Sequence, residues 1–321
     1  MHHDSIITSD RAEQDALLTA APFFESPAHR EQLAECLGKG FVPLKLAYTG
    51  SAAFTHDRLA RSTGYQQVIG QVRDEVEVWR SALGDTPDPL RLVEIGPGNG
   101  VHSEGFLRGL TDGRPSGRYL AADFSRTLLG IALARIDEGC GPDLAVTGEV
   151  WDIEAGPTPA IERWREGDDP VSLCLLGNTL GNVEEPIGAL ENIAASARVG
   201  DMLLMSVTLA PPRRDDQSLL APYETEVFRA AVLEIFAMAG IPLDAVRLAV
   251  DVVDNTVFGR IDVTRRVVFE DTELGPGDRI RCFVSRRFAV GEVQALLAAS
   301  GWVTKEEVDS GGHLVVAAFR K

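Results

Sequence analysis

The chain has 321 residues, of which 45% are hydrophobic, and it carries a formal net charge of −17 at pH 7. This length is enough for one large domain or for two that share chain segments. A phosphate backbone repels so acidic a surface, so the charge argues against a nucleic-acid partner and fits a small, partly cationic one. The four cysteines show neither a C-x-x-C pair nor zinc-ligand spacing, so we expect no metal site.

The sequence shows neither a secretory apolar region nor an apolar span of about 18 residues. We therefore expect a cytoplasmic protein with no membrane partner and a small-molecule substrate. The sequence does not fix the assembly, and a monomer and a homodimer both stay open.

The first quarter of the chain is mixed in character. Residues 1–35 are polar with helical patches, which favours an N-terminal arm or a helical cap. The breaker pair Gly50-Ser51 follows an apolar stretch. Apolar residues over 65–83 recur at helical spacing and predict a helix that leads into a sheet. A loop rich in Gly, Pro and Asp covers 84–89.

From residue 90 onward, strands and helices alternate. Predicted strands cover 90–96, 118–123, 144–150, 171–176 and 201–207, and predicted helices cover 101–111, 125–137 and 186–198. Near the C-terminus a helix over 290–300 is followed by strands over 302–309 and 313–320, which form an antiparallel hairpin. This alternation predicts a doubly wound, Rossmann-like α/β fold with a mainly parallel, seven-stranded sheet.

The alternation is interrupted at a polar hinge over 211–216. A helical stretch over 219–239 and short strands with β-branched residues over 246–287 follow it. We therefore predict two domains that share the chain. The main domain comprises 76–213 and 288–321, and a smaller α+β lid or substrate domain comprises 1–75 and 214–287.

A glycine-rich turn is the most informative stretch. An apolar run over 90–95 ends in Gly96, Gly98 and Gly100, and an apolar helical pattern follows. Such a corner cradles nucleotides in open α/β sheets, because glycine lets the backbone turn tightly and approach a ligand. The dinucleotide fingerprint needs a third glycine where this chain has Val101, which disfavours a nicotinamide dehydrogenase. The spacing G-x-G-x-G is typical of S-adenosylmethionine (SAM) methyltransferases.

Two acidic residues accompany this turn. Glu94 lies two places before Gly96, where a carboxylate can face the cationic amino-acid tail of SAM or fix the loop through backbone N–H groups. Asp123 closes the next strand, where an acid would accept both ribose hydroxyls. The two acids favour a SAM site over a structural turn with incidental carboxylates.

A second turn follows the buried run that contains Cys174. Residues 177–182 read Gly-Asn-Thr-Leu-Gly-Asn and lie at the carboxyl edge of the predicted sheet, where such sheets bind ligands. An ordinary turn that uses Gly and Asn for left-handed backbone geometry remains an equal alternative.

Over residues 50–320, the order of motifs resembles that of the histidine Nα-methyltransferases of ergothioneine biosynthesis. Residues 92–96 resemble the family's first SAM motif, and 176–182 resemble its G-S-T-I-G-N turn. Residues 219–224 are similar to its tyrosine-bearing segment, with Tyr223 as the matching residue, and 283–288 to its S-x-[KR]-F segment. The resemblance implies a class I methyltransferase that uses SAM and releases S-adenosylhomocysteine (SAH).

The resemblance also implies roles for individual residues. Asn182 and Tyr223 would be the catalytic residues that hold the α-amino and carboxylate ends of an amino acid. Cofactor contacts would come from Glu94, Gly96, Pro97, Gly98, Asn99, His102, Asp123, Phe124, Glu149, Val150 and Gly177. The substrate would contact Phe54, Tyr65, Thr179, Asn182, Tyr223, Phe283 and Ser285. Whether Glu149 or Asp152 meets the adenine stays open.

Three departures from the family pattern change the expected substrate. Phe283 replaces the glutamate that recognises the imidazole ring, which removes a hydrogen-bond partner and makes the pocket apolar. Leu46 stands where a tyrosine is expected, and His102 stands where a cofactor-facing lysine is expected. Another amino acid or amine of secondary metabolism, with an apolar side chain, fits better than histidine.

The predicted reaction is an SN2 transfer of the SAM methyl group to an amine nitrogen, with Tyr223 and Asn182 as hydrogen-bond acceptors for a neutral amine. No metal and no general base is needed if water takes the proton. One alternative is O- or C-methylation of a small natural product. A hydroxyl nucleophile would demand a positioned base, and the sequence does not evidently place His56, His102 or His313 for that task. Another alternative is a SAM-binding regulatory protein without turnover.

Overall fold

The computed structural model of the chain describes residues 7–8, 24–61, 72–84, 89–111, 115–213 and 215–321. Its helices are α1 (Pro27–Gly38), α2 (Ala52–Ala60), α3 (Val72–Leu83), α4 (Val101–Leu110), α5 (Arg126–Cys140), α6 (Ala160–Trp164), α7 (Thr179–Asn182), α8 (Pro186–Ser196), α9 (Asp216–Leu220), α10 (Glu226–Met238) and α11 (Val290–Ala299). Its strands are β1 (Ile7–Thr8), β2 (Leu90–Ile95), β3 (Gly117–Asp123), β4 (Leu144–Val150), β5 (Ser172–Leu175), β6 (Met202–Thr208), β7 (Val246–Val253), β8 (Thr256–Val263), β9 (Val267–Phe269), β10 (Thr272–Leu274), β11 (Arg279–Arg286), β12 (Trp302–Asp309) and β13 (His313–Arg320).

The main sheet has the strand order β1-β4-β3-β2-β5-β6-β13-β12. Strands β2 to β6 run parallel to one another, whereas β13 lies antiparallel between β6 and β12. The two-residue β1 adds to the outer edge of β4. The strand order reverses at β2, whose neighbours are β3 and β5. Open α/β sheets bind ligands in the crevice at such a reversal.

Helices cover both faces of this sheet. On one face, α3, α4 and α5 bury apolar side chains such as Trp79, Phe106 and Leu133 against the strands. On the other face, α6, α8 and α11 bury a second apolar cluster that includes Trp164 and Ile193. The strands between them read as nearly continuous apolar runs, as expected for a parallel sheet covered on both sides. The predicted doubly wound α/β fold with a C-terminal antiparallel hairpin is confirmed.

A second unit contains its own apolar core. Strands β11, β8 and β7 form a three-stranded antiparallel sheet, and β9 pairs with β10. Helices α1, α2 and α10 pack on this unit, and its buried cluster includes Leu37, Phe236, Ile261 and Phe283. The cluster joins residues from before the main sheet, such as Leu37, to residues between β6 and β13.

The glycine turn positions α5 as well as α4. Gly96, Gly98 and Gly100 all have positive φ, between 59° and 77°. A Cβ on Gly100 would lie 2.9 Å from Cα of Ala132 in α5, closer than real Cβ contacts occur. Glycine at this position therefore lets α5 pack directly against the turn. Ser125 caps α5 by accepting a hydrogen bond from the backbone N–H of Leu128.

The helical stretch predicted over 219–239 is divided into separate helices in the structure. The chain forms α9, then a 3₁₀ turn over Ala221–Tyr223, and then α10. Pro222 lacks the N–H that a continuous helix needs, and Thr225 starts the next helix by accepting a hydrogen bond from Phe228 N–H. The break leaves Tyr223 buried beside the carboxyl edge of the main sheet rather than on a regular helix surface. Of the predicted helix over 65–83, the part from Val72 is a helix, and residues 62–71 lie outside the described part.

Candidate active site

Two adjoining cavities lie at the carboxyl edge of the main sheet. The Tyr223 cavity, about 130 Å³ in volume, is bordered by Tyr223, Phe283 and Ser285. The Asp123 cavity, about 170 Å³ in volume, is bordered by Asp123 and Phe124. The residues that line both cavities are Leu44, Tyr48, His56, Gly96, Gly98, Thr179 and Asn182. A ligand that fills both would therefore pass between the glycine turn and the turn over 177–182.

Most of the predicted site residues line these two cavities. They are Glu94, Gly96, Pro97, Gly98, Asn99, His102, Asp123, Phe124, Gly177, Thr179, Asn182, Tyr223, Phe283 and Ser285. The described lining does not include Phe54, which lies two residues and thus about half a helical turn from His56 on α2. Glu149 and Val150 are also absent from the described lining of both cavities. Tyr65 lies outside the described residues.

The structure separates the two acids that could meet an adenine. Glu149 is a buried residue of β4, and its carboxylate pairs with Arg163 of α6 at 3.1 Å. Asp152 follows β4, lines the Asp123 cavity and pairs with Lys45 at 2.7 Å. Glu149 is thus held by a neighbouring helix, whereas Asp152 borders the space that a ligand would occupy.

Asp123 is a buried carboxyl group at the end of β3. Burial raises its pKa to about 7, the charge of Glu25 adds to this rise, and backbone N–H groups, including that of Ser125, oppose it. Next to it, the Phe124 ring stacks on His29 with 4.8 Å between ring centroids. The cavity thus offers an acid that exchanges its proton near neutral pH beside an aromatic wall.

Glu25 is a functional candidate that sequence analysis missed. Its carboxylate accepts hydrogen bonds from the backbone N–H groups of Gly50, Arg126 and Thr127 and from the Ser125 hydroxyl, all at 2.8–2.9 Å. Burial opposes ionisation, but these donors outweigh it and lower the pKa of Glu25. The residue therefore ties the segment before α1 to the N-terminus of α5. No local pattern in the sequence pairs residues about 100 positions apart.

The carboxylate of Glu94 is hydrogen-bonded to other side chains of the protein. Its two carboxylate oxygens accept hydrogen bonds from the Ser103 hydroxyl at 2.8 Å and the Tyr119 hydroxyl at 2.7 Å. Burial raises its pKa, against the effect of these two donors. The carboxylate thus links α4 to β3 at the base of the glycine turn while it borders the Tyr223 cavity.

His102 is held by a second missed acid, Glu75 of α3. The His102 Nε2 atom lies 2.5 Å from Glu75, which also accepts a hydrogen bond from the Ser206 hydroxyl at 2.6 Å. Ser206 in turn accepts one from the backbone N–H of Gly177 at 2.8 Å. Burial alone would lower the pKa of His102, but the hydrogen bond and charge of Glu75 raise it. This chain of contacts connects the helix after the glycine turn to the turn over 177–182.

The asparagines of the second turn have different surroundings. The Asn178 amide donates to the carbonyl of Arg286 at 3.3 Å and accepts from the N–H of Thr208 at 3.1 Å, so it fixes the turn to β6 and β11. Asn182 instead borders both cavities. A Cβ on Gly181 would lie 2.4 Å from the Asn178 amide, so glycine is needed for this close packing.

Tyr223 is surrounded by aromatic rings and hydroxyl groups. Its ring stacks on Phe283 at 5.5 Å and meets Phe228 edge-on at 5.0 Å. Its hydroxyl lies 2.8 Å from the Ser285 hydroxyl and accepts a hydrogen bond from Arg287 at 3.0 Å. The cavity therefore has an apolar aromatic wall with one polar end.

His56 borders both cavities and packs against the Tyr48 ring at 4.3 Å. Burial lowers its pKa to about 4, against the charge of Asp57, so it is neutral at physiological pH. Nothing in the sequence placed His56 near a ligand, because the fold alone brings α2 over the sheet edge. The described residues contain no group of three His, Cys, Asp or Glu side chains that could hold a metal, and none of their helices is long and apolar enough to cross a bilayer.

The chain was compared with families of known proteins, with curated proteins and with solved structures. A family model described as "Histidine-specific methyltransferase, SAM-dependent" matches residues 69–241. No curated protein matches the chain. Among solved structures, it is similar to a SAM-bound amino pentose methyltransferase from Micromonospora echinaspora, with 16% identity over 82% of this chain and 94% of that one (TM-score 0.42). It is also similar to magnesium protoporphyrin IX methyltransferase from Synechocystis PCC 6803, with 14% identity over 86% and 98% (TM-score 0.44).

Proposed function

Because this chain belongs to the family of SAM-dependent, histidine-specific methyltransferases, we propose that it methylates the amine nitrogen of an amino acid or small amine metabolite other than histidine. The observation that carries the proposal is the junction of the two cavities at Asn182. The Asp123 cavity has the groups for a nucleoside, and the Tyr223 cavity has an aromatic wall with a polar end.

The residues of the Asp123 cavity fit SAM. Ionised Asp123 would accept the ribose hydroxyls, and the ring of Phe124 would pack on the adenine beside Asp152. Gly98 has positive φ and no atom within 4 Å of where a Cβ would stand, so its backbone is open to a close ligand. His102 stands in place of lysine; its pKa is raised by Glu75, and its protonated form would favour the carboxylate of the methionine tail. When bound, the cofactor supplies a methyl group on an already activated sulfonium.

The residues of the Tyr223 cavity favour a substrate with an apolar or aromatic side chain. Phe283 is 1% exposed and packs against Tyr223 and Phe228, so a substrate meets ring faces where the family has a carboxylate. A buried imidazole N–H without an acceptor costs about 1–3 kcal/mol, which disfavours histidine relative to an apolar side chain. Thr179 would line the same pocket, and its hydroxyl already donates to the carbonyl of Leu176 at 3.0 Å.

In the proposed reaction, the side-chain oxygen of Asn182 accepts a hydrogen bond from the neutral amine and aims its lone pair at the junction. Bound SAM would supply the methyl group to this nitrogen and would leave as SAH, and the methylated ammonium would lose its proton to water. His56 is neutral at this junction, so it adds no charge beside a sulfonium. Alignment and exclusion of water supply the rate enhancement.

We propose that the second unit acts as a lid that excludes this water. Several polar contacts join it to the main sheet, and three of them lie near the cavities on different elements. Lys45 pairs with Asp152 at 2.7 Å, Glu25 accepts hydrogen bonds at the N-terminus of α5, and Asp57 of α2 accepts one from the Asn99 amide at 2.9 Å. These contacts surround the cavities, so SAM entry would require some of them to open.

A mass-spectrometric methyl-transfer assay with SAM and a panel of free amino acids and amines tests the function. We expect an N-methylated product from an amino acid with an apolar or aromatic side chain. An exclusively O- or C-methylated product would contradict the proposal. Tight SAH binding without any methylated product would favour a regulatory protein. Methylation of histidine at a comparable rate would refute the argument from Phe283 and leave N-methylation intact.

A further inference from the structure

Arg287 is a buried cation that contacts Tyr223 and Ser285, the two residues at the polar end of the Tyr223 cavity. It follows β11 directly and is 7% exposed. Its guanidinium donates to the Tyr223 hydroxyl and to the Ser285 carbonyl, each at 3.0 Å, and lies over the Tyr223 ring. None of the described carboxylates lies within 4.0 Å of it. A buried charge without a counter-ion is costly, so this position favours a bound anion.

The two hydroxyl groups in front of Arg287 can be assigned by counting protons. Tyr223 and Ser285 have two hydroxyl protons, and the 2.8 Å hydrogen bond between them uses one, whichever way it runs. The Tyr223 oxygen already accepts from Arg287, and the Ser285 oxygen has an additional, longer contact with Arg287 at 3.4 Å. One proton is thus left to donate into the cavity, while little acceptor capacity remains.

A hydroxyl donor beside the Arg287 cation favours binding of a carboxylate and disfavours binding of an ammonium group. Both residues border the cavity, so a ligand carboxylate there could accept the remaining proton and offset the positive charge of Arg287. A substrate that offered its ammonium group here would meet a donor and a like charge. The amine is therefore directed away from Tyr223 and toward Asn182 at the junction of the cavities.

Resting on the proposed function, we propose that Arg287 is a positioning residue that acts through Tyr223 and Ser285 to select a carboxylate. The substrate is then an amino acid, and the amine formed by its decarboxylation is excluded. This narrows the substrate class and orients it, with the carboxylate at the hydroxyl pair and the amine at Asn182.

The test compares amino acids with their decarboxylated amines: phenylalanine with 2-phenylethylamine, and tryptophan with tryptamine. Both kcat/KM with SAM and calorimetric binding to the SAH-loaded protein are measured for the wild type, Arg287→Met and Arg287→Lys. A charge-assisted hydrogen bond predicts a preference for the amino acid of about 10- to 150-fold in the wild type. We expect Arg287→Met to lose most of this preference through KM, and Arg287→Lys to retain most of it.

Arg279→Met is the matched control, because Arg279 lies on the same strand but its side chain is 71% exposed. It should leave the preference unchanged. If Arg287→Met does not fold, as judged by thermal unfolding, Ser285→Ala and Arg287→Lys provide the comparison. Binding of the amino acid in preference to the amine, without methyl transfer, would support the inference and contradict the proposed function. The inference would be overturned if the amino acid and its amine had equal kcat/KM and affinity, if neither bound, or if Arg287→Met kept the wild-type preference.

Discussion

Ionisation of Asp123 should control how tightly the protein binds SAH as the pH changes. Only the ionised carboxylate can accept hydrogen bonds from both ribose hydroxyls, and burial raises the pKa of this group to about 7. For that pKa, the ionised fraction falls from about 0.9 at pH 8 to about 0.1 at pH 6. The dissociation constant should therefore rise about tenfold over this interval, or about 1.4 kcal/mol.

Asp123→Asn provides the reference, because the amide is nearly isosteric and does not titrate. His102 also titrates with a raised pKa, and its protonated form favours a ligand carboxylate, so it acts in the opposite direction. The ratio of wild-type to variant affinity cancels that contribution, since His102 is present in both proteins. Calorimetric titration with SAH at pH 6, 7 and 8 should give a ratio that grows about tenfold toward pH 8.

The same pKa shift makes a second, ligand-free measurement possible. A carboxyl whose pKa is raised from 3.8 in the unfolded chain to about 7 in the folded protein lowers stability as the pH rises through that window. The full penalty, at most about 4 kcal/mol, is present above pH 7 and absent below pH 4. Thermal unfolding should show Asp123→Asn gaining stability over the wild type at pH 8 but not at pH 4. An affinity ratio and a stability difference that both stay constant with pH would refute the reasoning.

Three substitutions probe other parts of the structure. Gly100→Ala should lower stability by about 1–3 kcal/mol, because the new Cβ would contact Ala132 at 2.9 Å and the backbone has positive φ; chemical denaturation measures this. Phe283→Glu should reduce kcat/KM for apolar amino acids. The ratio of kcat/KM for histidine to kcat/KM for an apolar amino acid should rise about tenfold or more, which a competition assay would detect. Glu25→Ala leaves backbone N–H groups at α5 without their acceptor, so stopped-flow measurements should show faster SAH release, and stability should fall by about 1–3 kcal/mol. An unchanged release rate would contradict the lid role of Glu25.

Local patterns predicted much of the main sheet because neighbouring residues determine them. The hairpin strands over 302–309 and 313–320 match their predicted bounds, and β4 matches as well. Strands β4 and β13 are largely buried, so their apolar patterns are strong, whereas β12 follows from its position before the Gly311-Gly312 turn. The helical stretch predicted over 219–239 is divided at Pro222 and Thr225. Apolar periodicity alone does not register the lost N–H of a proline or a new N-cap.

Some residues of the site could likewise be predicted from local sequence patterns, and others could not. The glycine turn, Asp123 and the turn over 177–182 could be assigned from sequence, since each requires special residue types at fixed local spacing. Glu25, Glu75, His56 and the position of Arg287 behind Tyr223 could not. Their roles depend on contacts between segments about 30 to 130 residues apart, and no local signal encodes which distant backbone group a buried charge will meet.

The sequence by itself determined the order of strands and helices and the position of the glycine turn, because backbone geometry and apolar burial act over short spans. Only the tertiary structure decided which charges are buried together: Glu75 with His102, Glu25 with the N-terminus of α5, and Arg287 with two hydroxyls. Those pairings set proton positions and pKa values, since the energy of a charge depends on burial and on the groups around it in space.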